Sequence, residues 1–85
     1  MKTIKKLLNE TKDRNIGNHK VVFESPNKRA FYYHNTVICR VDDHKRIFSV
    51  HDGGWSTPST TRAINTYIRE LDKTHLIVGR RKHDK

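Results

Sequence analysis

The feature that most constrains the fold of this chain is one strongly patterned helix in its last third. Thr57-Pro58 marks its start, because threonine caps a helix N-terminus well and proline is tolerated at the first helical position. Apolar residues then recur at helical spacing, at Ala63, Ile64, Tyr67, Ile68 and Leu71. A helix with a single apolar face needs a second layer to cover that face, so the rest of the chain must supply one.

Short alternating segments in the middle of the chain supply this second layer. Strands are predicted at residues 20–25, 29–34, 36–41, 46–51 and 75–79. The turns between the first four are short, which favours an antiparallel meander. Alternation places on the covered face Val37, Cys39, Val41, Phe48 and Val50. We therefore expect an α+β fold, with a small antiparallel four- or five-stranded sheet and one helix packed across it.

The two ends of the chain are predicted to stand apart from this domain. Residues 1–16 read as a separate amphipathic basic helix, because Ile4, Leu7 and Leu8 follow helical spacing while lysines take the other face. Residues 19–79 form the single α+β domain, and residues 80–85 a mobile basic tail. The apolar runs, such as residues 76–78, are all far too short for a transmembrane helix, and the single cysteine, Cys39, cannot form a disulfide framework.

Charge is the strongest compositional signal. Eighteen Lys and Arg against nine Asp and Glu give a net charge of +9. A chain with this balance attracts nucleic acid, acidic protein surfaces or anionic lipid. Most of the excess lies in residues 2–14 and 80–85, which is typical of basic arms that flank a nearly balanced core.

A distinctive pattern spans the start of the predicted helix. Gly54-Trp55 is followed by Thr57, by Ser59 or Thr60, by Thr61 and then by Ile64-Asn65. The two glycines Gly53-Gly54 permit a sharp reversal, after which Trp55 is expected to anchor the core. The pattern resembles a family of small bacteriophage proteins that share Gly-Trp-x-Thr-x-Ser/Thr-Thr, then an apolar residue and Asn. The resemblance covers residues 20–81, and it implies a phage origin without naming a reaction.

Catalytic and metal chemistry find little support in the residue pattern. Cys39 is expected in mid-strand on the covered face, where a thiol acts as a small apolar side chain. His51 and Asp52 are neighbours on a strand, so their side chains point to opposite faces and cannot pair. The six histidines show no zinc-ligand spacing. We therefore expect no enzymatic activity, no metal and no cofactor.

The glycine- and hydroxyl-rich helix start has two interpretations. It can bind a phosphate, because helix N-termini present free N–H groups, and the candidate residues are Gly53, Gly54, Ser56, Thr57 and Ser59. Alternatively, these hydroxyls simply cap the helix. Pro58 removes one donor and no lysine follows at P-loop spacing, so capping is favoured, and a bound phosphate would belong to a nucleic-acid backbone.

DNA or RNA is the partner that we expect first. An exposed aromatic residue beside arginines on a sheet can stack a base, and a basic helix face can follow a phosphate backbone. The candidate binding residues are Lys2, Lys5, Lys6, Arg29, Tyr32, Arg40, Arg46, Arg62, Arg69, Lys73, Arg80, Arg81 and Lys82. Nothing resembles a recognition helix of known type, so we expect backbone contacts with low sequence specificity.

A second hypothesis belongs to a different class of function. The chain is then a phage effector that binds and inhibits a host protein or a defence or nucleic-acid-processing complex. An amphipathic helix such as residues 1–16 suits docking into a partner's groove. Both hypotheses place the protein in the host cytoplasm without membrane contact, and both leave the oligomeric state open.

Overall fold

The computed structural model describes residues 2–54 and 57–81. Over these ranges the chain forms, in order, α1 (Lys2–Leu8), β1 (Arg14–Ile16), β2 (His19–Ser25), β3 (Lys28–Tyr33), β4 (Thr36–Asp42), β5 (Ile47–His51), α2 (Pro58–Leu71) and β6 (Leu76–Arg81). The six strands form one sheet in chain order. Both helices share a core with one face of this sheet, and no described element covers the other face.

The sheet is mixed and larger than predicted. Strands β1 to β5 form the expected antiparallel meander, but β6 runs parallel to β5. The α+β class is confirmed, whereas the prediction of an entirely antiparallel sheet with four or five strands is wrong. Helix α2 carries the chain back along the sheet, so β6 starts at the same end as β5, as parallel pairing requires. Strand β1 has three residues, too few to show alternation in the sequence.

A bulge in β4 changes which of its residues enter the core. Phe31 pairs with Cys39 while Tyr32 pairs with Val37, which leaves Ile38 as an extra residue. Ile38 and Cys39 are therefore both buried, and Val37 lies half-buried on the uncovered face. The prediction for Val37 is wrong because alternation assumes an unbroken pleat. The other members of the predicted set are buried as expected: Val41, Phe48 and Val50.

Helix α2 matches its prediction at its start and along its apolar face. Thr57 caps the helix in an extended conformation, and its hydroxyl accepts the backbone N–H of Thr60 at 3.2 Å. Pro58 is the first helical residue. Four predicted core residues are buried, Ala63, Ile64, Tyr67 and Leu71, and the fifth, Ile68, packs against them. Trp55, which we expected to anchor the core, lies outside the described residues.

Helix α1 is shorter and more deeply packed than the sequence predicts. It ends at Leu8, and the chain then enters β1, where Ile16 pairs with His19 of β2. Ile4 and Leu7 are fully buried in the same core as α2, so α1 is not a separate element. At the other end of the chain, residues 80 and 81 belong to β6 rather than to a tail, and residues 82–85 lie outside the described residues.

Candidate nucleic-acid interface

The two helices contact each other through charged side chains. The carboxylate of Glu70 on α2 stands 3.9 Å from the Lys5 ammonium group on α1 and 3.2 Å from that of Lys73. Six of the predicted binding residues lie on these two adjacent helices, all of them exposed. We call this set the helical surface: Lys2, Lys5, Lys6, Arg62, Arg69 and Lys73.

Most of the charge on the helical surface is not neutralised. Glu70 is held by its two lysines, and the hydrogen bond from Lys73 is the main cause that lowers the pKa of this carboxyl group. Within the described part of the chain, no ion pair forms to Lys2, Lys6, Arg62 or Arg69. Arg69 acts on Glu70 at longer range, as a further cause that lowers the pKa of this carboxyl group. One carboxylate among six cations still leaves a positive potential that attracts phosphate groups.

A shallow groove along α2 adds polar groups to these cations. Its lining residues are Pro58, Thr61, Arg62, Asn65 and Arg69. A threonine hydroxyl and an asparagine amide are common partners of phosphate and sugar oxygens in nucleic-acid complexes. In the sequence Thr61 belongs to the hydroxyl-rich helix start and Asn65 only to the family pattern, although their spacing relative to Arg62 and Arg69 places all four on one helix face.

Arg29, a predicted binding residue, is buried and forms its contacts within the fold. Its side chain is 9% exposed. Its guanidinium donates Nε–H and Nη2–H to the two oxygens of Asp43, at 2.8 and 2.7 Å, and Nη1–H to the carbonyl of Leu8 at 2.9 Å. His75 Nε2 lies 2.9 Å from the same carboxylate. Arg29 therefore joins α1, β3, the β4–β5 turn and the start of β6, and its burial and its ion pair with Asp43 keep it from contacting a phosphate in this arrangement.

The contact between Arg29 and Asp43 predicts a stability change at acid pH. Partial burial of Asp43 raises its pKa, but the hydrogen bonds from Arg29 and His75 outweigh this effect and hold the pKa below its ordinary value of 3.8. A carboxyl group whose pKa is lower in the folded than in the unfolded state stabilises the fold above the unfolded value, and this contribution is lost as the pH falls through the folded value.

We therefore expect the difference in unfolding free energy between the wild type and Asp43→Asn to be largest near neutral pH and to shrink below pH 3.8. Urea titrations of both proteins, at neutral pH and well below 3.8, measure this difference. A difference that does not change with pH would show that the charge of Asp43 contributes nothing to stability.

The remaining predicted residues of the sheet lie away from the helical surface. Arg40 donates from Nη1 to both oxygens of Glu24, at 2.7 and 2.8 Å, on the uncovered face. Tyr32 is half-buried on that same face, with the Lys20 ammonium 4.7 Å from the centre of its ring, a cation–π contact that the sequence did not suggest. Arg46 is exposed in the turn before β5. The described side chains of the predicted set therefore lie on the two helices, on the uncovered face of the sheet, in the turn before β5 and, for Arg29, inside the fold.

The proposed phosphate site shows the contacts of a capped helix start. Gly53 and Gly54 have positive φ angles of 64° and 84°, which favour glycine. The Gly53 N–H donates to His51 Nδ1 at 2.7 Å and the Gly54 N–H to the Asp52 carboxylate at 2.9 Å. The Thr57 hydroxyl already accepts the Thr60 N–H, whereas Ser59 is exposed. Ser56 and Lys82, also predicted as binding residues, lie outside the described residues, and the side chains of Arg80 and Arg81 are not described.

Comparison with known proteins shows which family the chain belongs to. The family model described as Kyanoviridae Gp96 protein matches residues 1–85. The chain belongs to the Kyanoviridae Gp96 protein family. This family consists of phage proteins, so the phage origin implied by the resemblance is confirmed. No curated protein and no solved structure matches the chain.

In this member of the Kyanoviridae Gp96 family, Cys39 and His75 are engaged in the fold. Burial raises the pKa of the Cys39 thiol, which keeps it protonated and a poor nucleophile. Thr74 Oγ1 lies 2.7 Å from His75 Nδ1, and His75 contacts Asp43, but Arg29 already holds that carboxylate. Among residues 2–54 and 57–81, no group of three or more His, Cys, Asp or Glu side chains is placed to hold a metal ion.

The helices of this family member are short. None of those in the described part of the chain has the length and apolar character needed to cross a bilayer.

Proposed function

We propose that this phage protein binds nucleic acid in the infected cell, through contacts between the helical surface and the phosphate backbone with low sequence specificity. The observation that carries the proposal is a set of four cations on two adjacent helices that form no ion pair with any described residue: Lys2, Lys6, Arg62 and Arg69. Cations of this kind bind by neutralising phosphates and releasing counterions, which needs no base-specific contact.

The rigidity of the two helices supports this assignment. Ile4 and Leu7 anchor α1 in the core, and Tyr67 and Leu71 do the same for α2. Side chains that project from packed helices lose less backbone freedom on binding than those on a chain end. The helical surface is therefore a better site for binding the phosphate backbone than the basic ends alone, which were the stronger candidates from the sequence.

The test is the salt dependence of binding to a labelled random-sequence DNA duplex of about 20 base pairs, measured by fluorescence anisotropy between about 50 and 200 mM salt. The wild type should bind at low salt and lose affinity linearly in log salt. Arg62→Ala/Arg69→Ala should weaken binding and reduce the slope by about 2, because each lost phosphate contact removes about 0.9 from it. A single-stranded RNA of equal length, run in parallel, shows which nucleic acid is preferred.

The matched control removes the same charge from a different place. Lys28→Ala/Lys45→Ala also replaces two exposed cations, but at the strand β3 start and in the β4–β5 turn, outside the helical surface. This control should change the slope by much less. Equal losses in both double variants would show that net charge alone drives binding, and no binding of either nucleic acid at low salt would overturn the proposal.

A second candidate function is a phage effector that binds a host protein. The observation in its favour is the exposure of two large apolar side chains, Leu76 and Val78, on β6. An interface with apolar anchors should be far less sensitive to salt than one built on phosphates. A pull-down from host lysate with and without nuclease separates the two functions, because partners held through nucleic acid are lost on nuclease treatment and a directly bound protein is retained.

A further inference from the structure

The two edges of the sheet differ in how well they are protected. Strand β1 forms one edge with only three residues, and Arg14 and Asn15 on it are exposed. A short, charged edge resists pairing with another chain. Strand β6 forms the other edge with six residues and begins with three apolar residues. Ile77 pairs with Phe48 and Gly79 with Ser49, so Val78 forms a bulge in this strand. The apolar start of β6 therefore lacks the charge and the short length that protect the β1 edge.

The apolar side chains of β6 are exposed in the pattern that strand pairing uses. Leu76 is 66% exposed and Val78 59% exposed. Leu76 pairs in register with half-buried Ile47 on the uncovered face of the sheet, and Val78 lines a groove on that face that also contains Ile47. Between them, Ile77 packs against the core. No described strand pairs with the outer side of β6, and alternate side chains beside such an edge are the elements of recognition by strand addition.

Positive charge brackets this apolar centre. The backbone N–H of Leu76 donates to the carbonyl of Arg46 at 2.9 Å, so exposed Lys45 and Arg46 stand near the start of β6. The last two residues of β6 are both arginine. A second copy of the chain would bring another net charge of +9 to the same edge, which electrostatic repulsion disfavours. A strand with acidic ends and an apolar centre complements the edge instead.

We propose that the β6 edge receives an extended segment of a partner protein, with alternating apolar residues in its centre and acidic residues at both ends, as a seventh strand of the sheet. Backbone hydrogen bonds supply part of the affinity, and Leu76 and Val78 supply the apolar contacts. The inference does not depend on nucleic-acid binding, and it specifies the partner of the second candidate function.

The probe is the labelled peptide acetyl-Glu-Glu-Val-Thr-Val-Glu-Glu-amide, titrated into the full chain and followed by anisotropy and by amide chemical shifts. The shifts should be largest at residues 76–81. A peptide with an N-methyl group on its central residue should bind about tenfold more weakly, since it loses backbone hydrogen bonds. A peptide with glutamine in place of glutamate should also bind more weakly and lose the salt dependence.

Two variants locate the binding site. Leu76→Thr/Val78→Thr keeps residues that suit a strand and should lower peptide affinity about tenfold or more, because apolar contact area is lost. Its matched control is Val37→Thr, on the same uncovered face but in β4, which should bind the peptide like the wild type. The β6 variant should bind DNA normally, and Arg62→Ala/Arg69→Ala should bind the peptide normally, so that failure of one proposal is distinguishable from failure of the other.

Four results would overturn the proposal. The first is no peptide binding to the wild type, and the second is equal binding to Leu76→Thr/Val78→Thr. The third is indifference to the N-methyl group, which would exclude strand addition. The fourth is a dimer of the free chain in sedimentation equilibrium that the β6 variant dissociates, which would assign the edge to a second copy.

Discussion

Arg29→Met is expected to lower the free energy of unfolding by about 3 kcal/mol, a large share of the stability of a domain of this size. The substitution keeps most of the packed aliphatic stem but removes the guanidinium that contacts Asp43 and the carbonyl of Leu8. A partly buried carboxylate and a backbone carbonyl then lose their charged donor, and this loss costs more than the intact pair contributes. Urea unfolding followed by circular dichroism measures the change.

Arg40→Met is the matched control for this prediction. It also removes an arginine from a carboxylate, but the Arg40 side chain is 55% exposed beside Glu24, and an exposed pair contributes at most about 1 kcal/mol. The double variant Arg29→Met/Asp43→Asn should be less destabilised than the sum of its single substitutions, because it leaves no unpaired charge. Similar costs for Arg29→Met and Arg40→Met would contradict the structural role of Arg29.

Leu7→Ala is expected to cost about 2 to 5 kcal/mol. Leu7 is fully buried in the core shared by α1, the sheet and α2, so truncation removes apolar contacts and leaves a cavity. Against a total stability of about 5 to 15 kcal/mol, with small domains near the lower limit, this loss would leave much of the protein unfolded at 37 °C. Thermal unfolding followed by circular dichroism measures it.

The neighbouring residue provides the control. Leu8→Ala is the same chemical change one position along α1, but Leu8 is only half-buried at the border of the core, so its cost should be clearly smaller. Equal and small effects at both positions would indicate that α1 is detached from the domain, as the sequence alone predicts. A large effect confined to Leu7 would establish α1 as part of the fold.

The elements that the sequence predicts well are those whose signals are local. Thr57-Pro58 and the apolar spacing from Ala63 to Leu71 define α2 without any knowledge of its neighbours. The direction of β6 is different, because it depends on where α2 returns the chain to the sheet. Likewise, Ile38 enters the core only through a bulge that the pairing of β3 with β4 creates. The direction of β6 and the bulge in β4 depend on tertiary contacts, so they cannot be predicted from local sequence patterns.

The candidate site divides in the same way. The exposed cations of α2 follow from helical spacing alone, whereas their union with those of α1 depends on the contact between Lys5 and Glu70. In the sequence Arg29 and Arg40 are equivalent as basic strand residues. Only the pairing of strands shows that one of them is enclosed with Asp43 while the other stays near the surface. Residue type therefore predicts which residues are candidates for binding, and their tertiary contacts decide which of them are accessible to a ligand.

The shared core of α1 and α2 has a consequence for how the protein forms in the cell. Ile4 and Leu71 belong to one core, so α1 leaves the ribosome without a complete partner surface until α2 has followed it. At about 5 to 20 residues per second, the 67 residues that follow Ile4 up to Leu71 take roughly 3 to 13 s to synthesise. Until then Ile4 and Leu7 stay uncovered, so this core forms only after α2 has been synthesised.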